Sequence, residues 1–395
     1  MNRWLICLVG VTACASTEVL PSEGPSDEPS FVPDSRDDGG ADGAPREAAG
    51  PCADCEYFPD ECTPDALCSN GPFDPGTAGG SIDPVRQIMV IRGRSASDVW
   101  AAGALGALVH FDGTSWRRLE PGSGETLRAL WLRDSEEVSL ASLTRIYARG
   151  LHVDGGAPPS SDGWTFHKAT PPPEYEFSIQ FYIHLRSGWG APGAASFWLA
   201  AYDGQQDAGL WRLRLSPSST FELGPGIASD VCATLRCGQM ASIHGASAND
   251  LWAVGMAGEA VRITNAESDT PSTKAFDTQT WNALTGVWAA SASEAWAVGV
   301  AGTVRHYTGD PDLWDVVSDV PTNEALNAVW GSSASDVWAV GNAGVVLHYD
   351  GTSWSRVKIA GLRGNRPKLN TVWVASPGHV WVGGEGVLLS LGGKP

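Results

Sequence analysis

The sequence predicts an all-β, seven-bladed β-propeller of four-stranded blades, preceded by a disordered tether and a short Cys-rich segment. Three observations carry this reading. A unit of the type SASDVWAVG recurs along most of the 395 residues. The clean copies recur at a period near 42 residues, the range of propeller blades. Each clean copy divides into four short apolar runs, joined by Gly, Asn, Asp and Ser.

The chain opens with Met-Asn-Arg, an apolar stretch from Trp4 to Val11, and Val11-Thr12-Ala13-Cys14. One positive charge before a short apolar run is the layout of a secretion signal. The small residues ending at Cys14 resemble a bacterial lipobox. That resemblance implies that residues 1–13 are removed and that Cys14 carries a diacylglycerol. Two or three acyl chains, at about 0.8 kcal/mol per buried CH₂, anchor stably where one does not. Ala15 and Ser16, rather than Asp, follow the cysteine. By the same resemblance this sorts the lipoprotein to the outer membrane of a Gram-negative bacterium, periplasmic or surface-exposed. An ordinary signal peptide cleaved nearby is the alternative.

Residues 14–50 are rich in Pro, Ser, Gly, Asp and Glu, as in PSEGPSDEPS and DDGGADG. So little apolar material cannot offset ordering entropy, which predicts a disordered acidic tether. Residues 51–83 hold Cys52, Cys55, Cys62 and Cys68. The C-x₂-C opening invites a zinc site, but no second short pair follows. In an exported chain two disulfides are expected instead, with three connectivities open. Cys232 and Cys237 are expected to pair across a short loop, worth roughly 2 kcal/mol on the chain-entropy model.

Residues 84–395 carry the repeats. SASDVWAAGALGALVHFDGTSW (95–116) returns as SASDVWAVGNAGVVLHYDGTSW (333–354). SANDLWAVGMAGEAVRIT (247–264), SASEAWAVGVAGTVRHYTG (291–309) and SPGHVWVGGEGVLLSLGG (376–393) are further copies. Weaker ones lie at 134–150 and 195–215. Their aligned centres are Trp100, Ser139, Trp198, Trp252, Trp296, Trp338 and Trp381. In the sixth copy the strands read 326–332, 336–341, 345–350 and 353–359. Gly341 and Gly344 bracket its second joint, where positive φ is expected. The second strand is apolar throughout, as a strand buried on both faces should be. Its Trp is expected to pack between blades. The last copy lacks a fourth strand, so a closing strand is expected from within roughly 70–84.

The D-G-T-x-W turn is similar to the Asp-box (BNR) of sialidase-type repeats, one residue shorter. The whole unit resembles repeats of bacterial surface lipoproteins and of YCF48-like propellers. The resemblance implies the fold and leaves function open. A sialidase would bring an arginine triad, a Tyr–Glu pair and an acidic Asp, and those motifs cannot be placed here. Asp98, Asp250, Glu294 and Asp336 share one repeat position, which points to turn chemistry rather than catalysis. His110, His306 and His348 likewise read as scaffold. His152, His167, His184, His244 and His379 lack metal-ligand spacing. No catalytic residue, metal or cofactor is expected.

Departures from the repeat point to a binding sector. Residues 150–180, 187–195 and 216–238 lengthen blades two and three, with Trp164, Tyr175, Phe177 and Tyr182 as candidate binding residues. The leading expectation is a membrane-anchored, non-enzymatic and monomeric propeller that binds a protein or glycan partner through these loops. An extracellular propeller hydrolase or lyase and a structural or assembly factor are the alternatives. Nucleic acid is not an expected partner of a chain with a net charge of −19. No apolar run is long enough to span a bilayer. Most of the acidity lies before residue 84, so the ring itself is only mildly acidic. Seventeen of the 18 Trp lie in the ring, so their surplus reads as blade packing rather than sugar stacking.

Overall fold

The computed structural model describes residues 54–73, 81–204, 208–216 and 219–394. The segments read as a signal and a tether, with Cys14 and Cys52, lie outside the described residues. Seven four-stranded antiparallel sheets form the blades. Blade one comprises Ile88–Ser95, Asp98–Gly103, Leu108–Phe111 and Trp116–Arg118. Blade two comprises Ala129–Arg133, Glu136–Leu140, Arg145–Arg149 and Thr165–Lys168. Blade three comprises Ile183–Trp189, Ser196–Asp203, Leu210–Leu215 and Phe221–Pro225. Blade four comprises Met240–Ser247, Asp250–Gly255, Ala260–Thr264 and Ser272–Phe276. Blade five comprises Leu284–Ser291, Glu294–Gly299, Val304–Tyr307 and Asp315–Val316. Blade six comprises Leu326–Ser333, Asp336–Gly341, Val346–Tyr349 and Trp354–Arg356. Blade seven supplies Leu369–Ser376, His379–Gly384 and Val387–Leu391.

The fourth strand of blade seven is Leu67–Ser69, which pairs antiparallel with Val387–Leu391 in the register Leu67↔Leu391. This places the closing strand just before the 70–84 window. That window holds Pro72, Pro75, Pro84 and four glycines, which pair poorly in a ladder. Leu67 also bridges to Ile359, beyond blade six: its N–H donates to Lys358 O at 2.8 Å, and Ala360 N–H donates to Leu67 O at 2.8 Å. Phe73 and Ile82 then pack on the hydrophobic cluster shared by blades seven and one. One segment thus spans blades six, seven and one, across the seam of the ring. Cys62–Cys68 is a disulfide within it, and Cys55 is disulfide-bonded as well.

Blade packing follows the Trp of the second strands. Trp381 joins blade one, Trp100 blade two, Trp198 blade four, Trp252 blade five, Trp296 blade six and Trp338 blade seven. Blade two has Ser139 at that position. There Trp131, from its first strand, stacks on Phe197 of blade three, with 5.2 Å between centroids and 3° between planes. The seam between blades two and three is therefore filled by a different aromatic.

The recurring acids do something the sequence pattern assigned to turns. Asp98 Oδ1 accepts from Trp100 Nε1 at 2.9 Å and bonds His110 Nε2 at 2.8 Å, while the two rings stack at 4.2 Å. Glu294–Trp296–His306 and Asp336–Trp338–His348 repeat the device. In blade four Arg262 takes the place of His and grips Asp250 with two hydrogen bonds. In blades one, five and six the acid thus satisfies a buried indole N–H and orients its stacking partner, whereas Asp250 serves Arg262 and leaves the Trp252 N–H without a partner among the described residues. Turn chemistry belongs to a different acid: Asp112 and Asp350 each accept two N–H groups within the DGTS turns.

Burial alone would raise the Asp336 carboxyl. Hydrogen bonds from His348, Ser332 and Trp338 outweigh it and leave the group below the ordinary value. Asp98 is held down in the same way, by His110, Arg94 and Trp100 against burial. A depressed carboxyl stabilises the fold above its unfolded value and gives that up as pH falls through the folded value. The expected result is a melting temperature that declines from about pH 5 downward, with a shallower acid limb in Asp98→Asn/Asp336→Asn. Parallel acid limbs for the two proteins would count against the assignment.

Gly341 does not take positive φ; its φ is −156°. Its requirement is space, since a Cβ there would sit 2.2 Å from Ala325 O. The left-handed residues of that joint are Ala343 (φ 52°) and Gly344 (φ 65°).

Candidate functional site

The first strand of every blade is innermost, and together they bound a central channel. The links from a fourth strand to the next first strand open on one face of the ring, at the channel mouth. The link between blades two and three is the most elaborate. It runs from Ala169 through Pro171–Pro173 and a 3₁₀ turn, Pro173–Tyr175, into helix α1, Glu176–Phe181. Pro172 and Pro173 suit a chain entering a helix, because they preset φ and need no N–H partner there.

Helix α1 has two unlike faces, set by the i, i+4 spacing of its side chains. Tyr175 and Ile179 pack inward on the blade-two/three core, with Tyr175 edge-on to Trp211 at 5.1 Å. Phe177 and Phe181 point outward, 62% and 51% exposed, and Tyr182 is 41% exposed. Their rings touch one another at centroid distances of 4.9–6.5 Å. Three clustered, exposed aromatics are an unusual surface for a monomer.

Beside α1 lies a groove of about 870 Å³, lined by Arg128, Arg145, Lys168, His184 and Arg186. Among the described residues, Glu176 is its one acidic lining residue. Arg145 is neutralised by Glu125 at 2.6 Å. Burial, and then the neighbouring Arg186 charge, lower the pKa of Arg128. The groove is thus cationic on a protein whose net charge is strongly negative.

Of the candidate binding residues, the structure exposes Phe177 and Tyr182 together, half-buries Tyr175 and removes Trp164. Trp164 is 1% exposed and packs edge-on against Trp100. Its place in sequence suggested a loop, but Thr165–Lys168 is the fourth strand of blade two, and Trp164 leads into it. Similarly, the 187–195 stretch holds the end of a first strand. The 216–238 stretch holds Phe221–Pro225 and helix α2, Ser229–Leu235. The expected Cys232–Cys237 disulfide is present, with both residues buried between blades three and four.

Sequence reasoning missed the channel. Aligned first strands hold Trp288, Trp330 and Trp373 in blades five to seven at the position occupied by Arg92 in blade one and His244 in blade four. That break in the repeat was the available signal. The cations at Arg128, Arg186 and Lys368 follow no repeat pattern and converge only when the ring closes. Another isolated feature, Trp281, stands 80% exposed on the link between blades four and five. Among the described residues, no cluster of His, Cys, Asp and Glu could hold a metal ion.

Solved structures share this architecture. YCF48 bound to a D1 peptide is 13% identical, with a TM-score of 0.55, covering 82% of this chain and 97% of its own. YCF48 from Cyanidioschyzon merolae is 14% identical, with a TM-score of 0.55, covering 78% and 96%. The WD40 propeller domain of Doa1 is 12% identical, with a TM-score of 0.53, covering 77% and 92%. At such identities the likeness establishes the propeller fold alone. No protein-family model matches the chain, and no curated protein matches it.

Proposed function

We propose that this chain is a non-catalytic binding propeller, held at the outer membrane by a lipid on Cys14, that docks a protein segment on blades two and three. The observation that carries the reading is the exposed Phe177–Phe181–Tyr182 cluster beside the cationic groove. Aromatics at the centre of an interface supply area at low entropic cost, and cations beside them select an acidic partner. The segment that fits combines apolar side chains with carboxylates. YCF48, a propeller of similar shape, is bound to a D1 peptide in one of its structures, which supports a peptide as the kind of partner here. A hydrolase would need acid and base groups in the channel, whereas its lining, among the described residues, contains Arg92, Arg128, Arg186 and Lys368 without a carboxylate. A scaffolding or assembly role would use the same docking surface.

Phe177→Ser/Phe181→Ser/Tyr182→Ser should leave the melting temperature nearly unchanged, since exposed substitutions cost within about 0.5 kcal/mol each. A photo-crosslinking residue at position 180, in the membrane-anchored full chain, should trap a protein adduct. The triple substitution and Arg186→Glu should each abolish that adduct. Absence of any adduct, or an adduct indifferent to both changes, would overturn the reading.

A further inference from the structure

We propose that the central channel is itself a binding site for a small oxyanion, a carboxylate or phosphate compound of two or more negative charges. The ligand enters between Arg128, Arg186 and Lys368 at the mouth and comes to rest over a floor formed by Arg92, His244 and Trp330. The site shares Arg128 and Arg186 with the groove beside α1, but its floor is distinct, and the case for it does not rest on protein docking.

The floor is built rather than incidental. The Arg92 guanidinium lies over the Trp330 ring, 4.6 Å from its centroid. His244 meets the same ring edge-on at 4.7 Å. Blades one, four and six thus send side chains to one point on the axis. His244 is only 6% exposed, and its Nδ1 accepts the Ala289 N–H at 3.1 Å. Burial, and then the Arg92 charge, hold its pKa well below the ordinary value. The ring is therefore neutral with its proton on Nε2, a donor with no protein acceptor among the described residues. It is one of the groups lining the cavity.

The charge balance points the same way. Arg92 hydrogen-bonds a neutral group, the Ile91 carbonyl, at 2.8 Å. Burial pulls its pKa down to about 10, so it stays charged at neutral pH. Arg92, Arg128, Arg186 and Lys368 have no carboxylate partner among the described residues. Among the described residues, no Asp or Glu lines the channel. Arg92, desolvated without a counter-ion, costs free energy, whereas Arg186 and Lys368 stand exposed at the mouth; an anion that collects the donors of all four offsets the Arg92 cost. Two or more charges on the ligand match four cations better than one. The cavity measures about 180 Å³. That is room for on the order of ten water molecules, which suits a phosphate, a di- or tricarboxylate, or the anionic end of a longer chain.

Isothermal titration of the full chain with citrate and with inorganic phosphate, at constant ionic strength in chloride, tests the site. Saturable binding is expected for at least one of them, together with a raised melting temperature. Arg92→Met should weaken it by at least about tenfold, the loss expected for a charge-assisted hydrogen bond. Lys368→Gln, at the solvent-facing mouth, should weaken it less and reports on the site even if Arg92→Met fails to fold. A short acidic peptide with a free or an amidated C-terminus separates the sources of the anion. Preference for the free acid over citrate and phosphate assigns the site to a chain end, and the reverse assigns it to a free metabolite. The triple substitution on α1 should leave this binding intact. No saturable binding of any of these probes up to about 10 mM, weaker than any affinity a specific site of four cations should show, would sink the proposal. So would binding indifferent to both channel substitutions.

Discussion

Removing residues 54–73 is expected to lower the melting temperature by on the order of 10 °C or more. The segment supplies the fourth strand of blade seven, and without it Val387–Leu391 becomes an open edge. Its loss also empties core positions. Leu67 is fully buried in the blade-six/seven cluster, and Phe58 packs against that cluster. The Arg366 guanidinium lies 3.4 Å from the Phe58 ring centroid and bonds Asp54 as well. A ring differs from an open stack because one unsealed seam exposes two blade faces at once. Leu67→Asp should reproduce much of the effect, because it buries a carboxylate without a partner, at a cost of about 3 kcal/mol or more. A melting curve unchanged by the deletion would rule out the strap.

Trp296→Ala is expected to cost about 3–5 kcal/mol, as large-to-small changes in packed cores do. The indole of blade five stacks on His306 at 3.8 Å and meets Tyr349 and Trp354 of blade six at 4.7 and 5.4 Å. Its removal opens a cavity between blades and leaves Glu294 without its indole donor. Trp281→Ala is the matched contrast. That side chain is exposed, and the change should fall within about 0.5 kcal/mol. Chemical denaturation of both variants measures the difference. Equal costs would mean that the aligned Trp residues are not the cement between blades.

The proposed docking site was half legible in the sequence. Phe177 and Tyr182 stood out because they interrupt the repeat. Trp164 stood out for the same reason, yet it is core, since the interruption also contains the fourth strand of blade two. Period alone cannot separate a decorated loop from a strand displaced by a long hairpin. Replacing 155–176 by a short turn would therefore remove Trp164 and Thr165–Lys168 along with the loop. Surface substitutions on α1 are the proper test.

Local patterning was enough to specify the ring: the number of blades, the four strands in each clean copy, the second-strand Trp positions and the need for a closing strand. Period, turn residues and apolar runs can be read one blade at a time, without knowing what lies across the molecule. The identity of the closing segment needed the folded chain, since Leu67–Ser69 is chosen by its partners Leu391 and Ile359 rather than by its own propensity. The same holds for the service of Asp98 and Asp336 to buried indoles. It holds most of all for Arg92, Arg128, Arg186, His244 and Lys368, which lie up to 276 positions apart in sequence. No local rule reaches across that distance; closing the ring does, because it turns seven separate first strands into one wall.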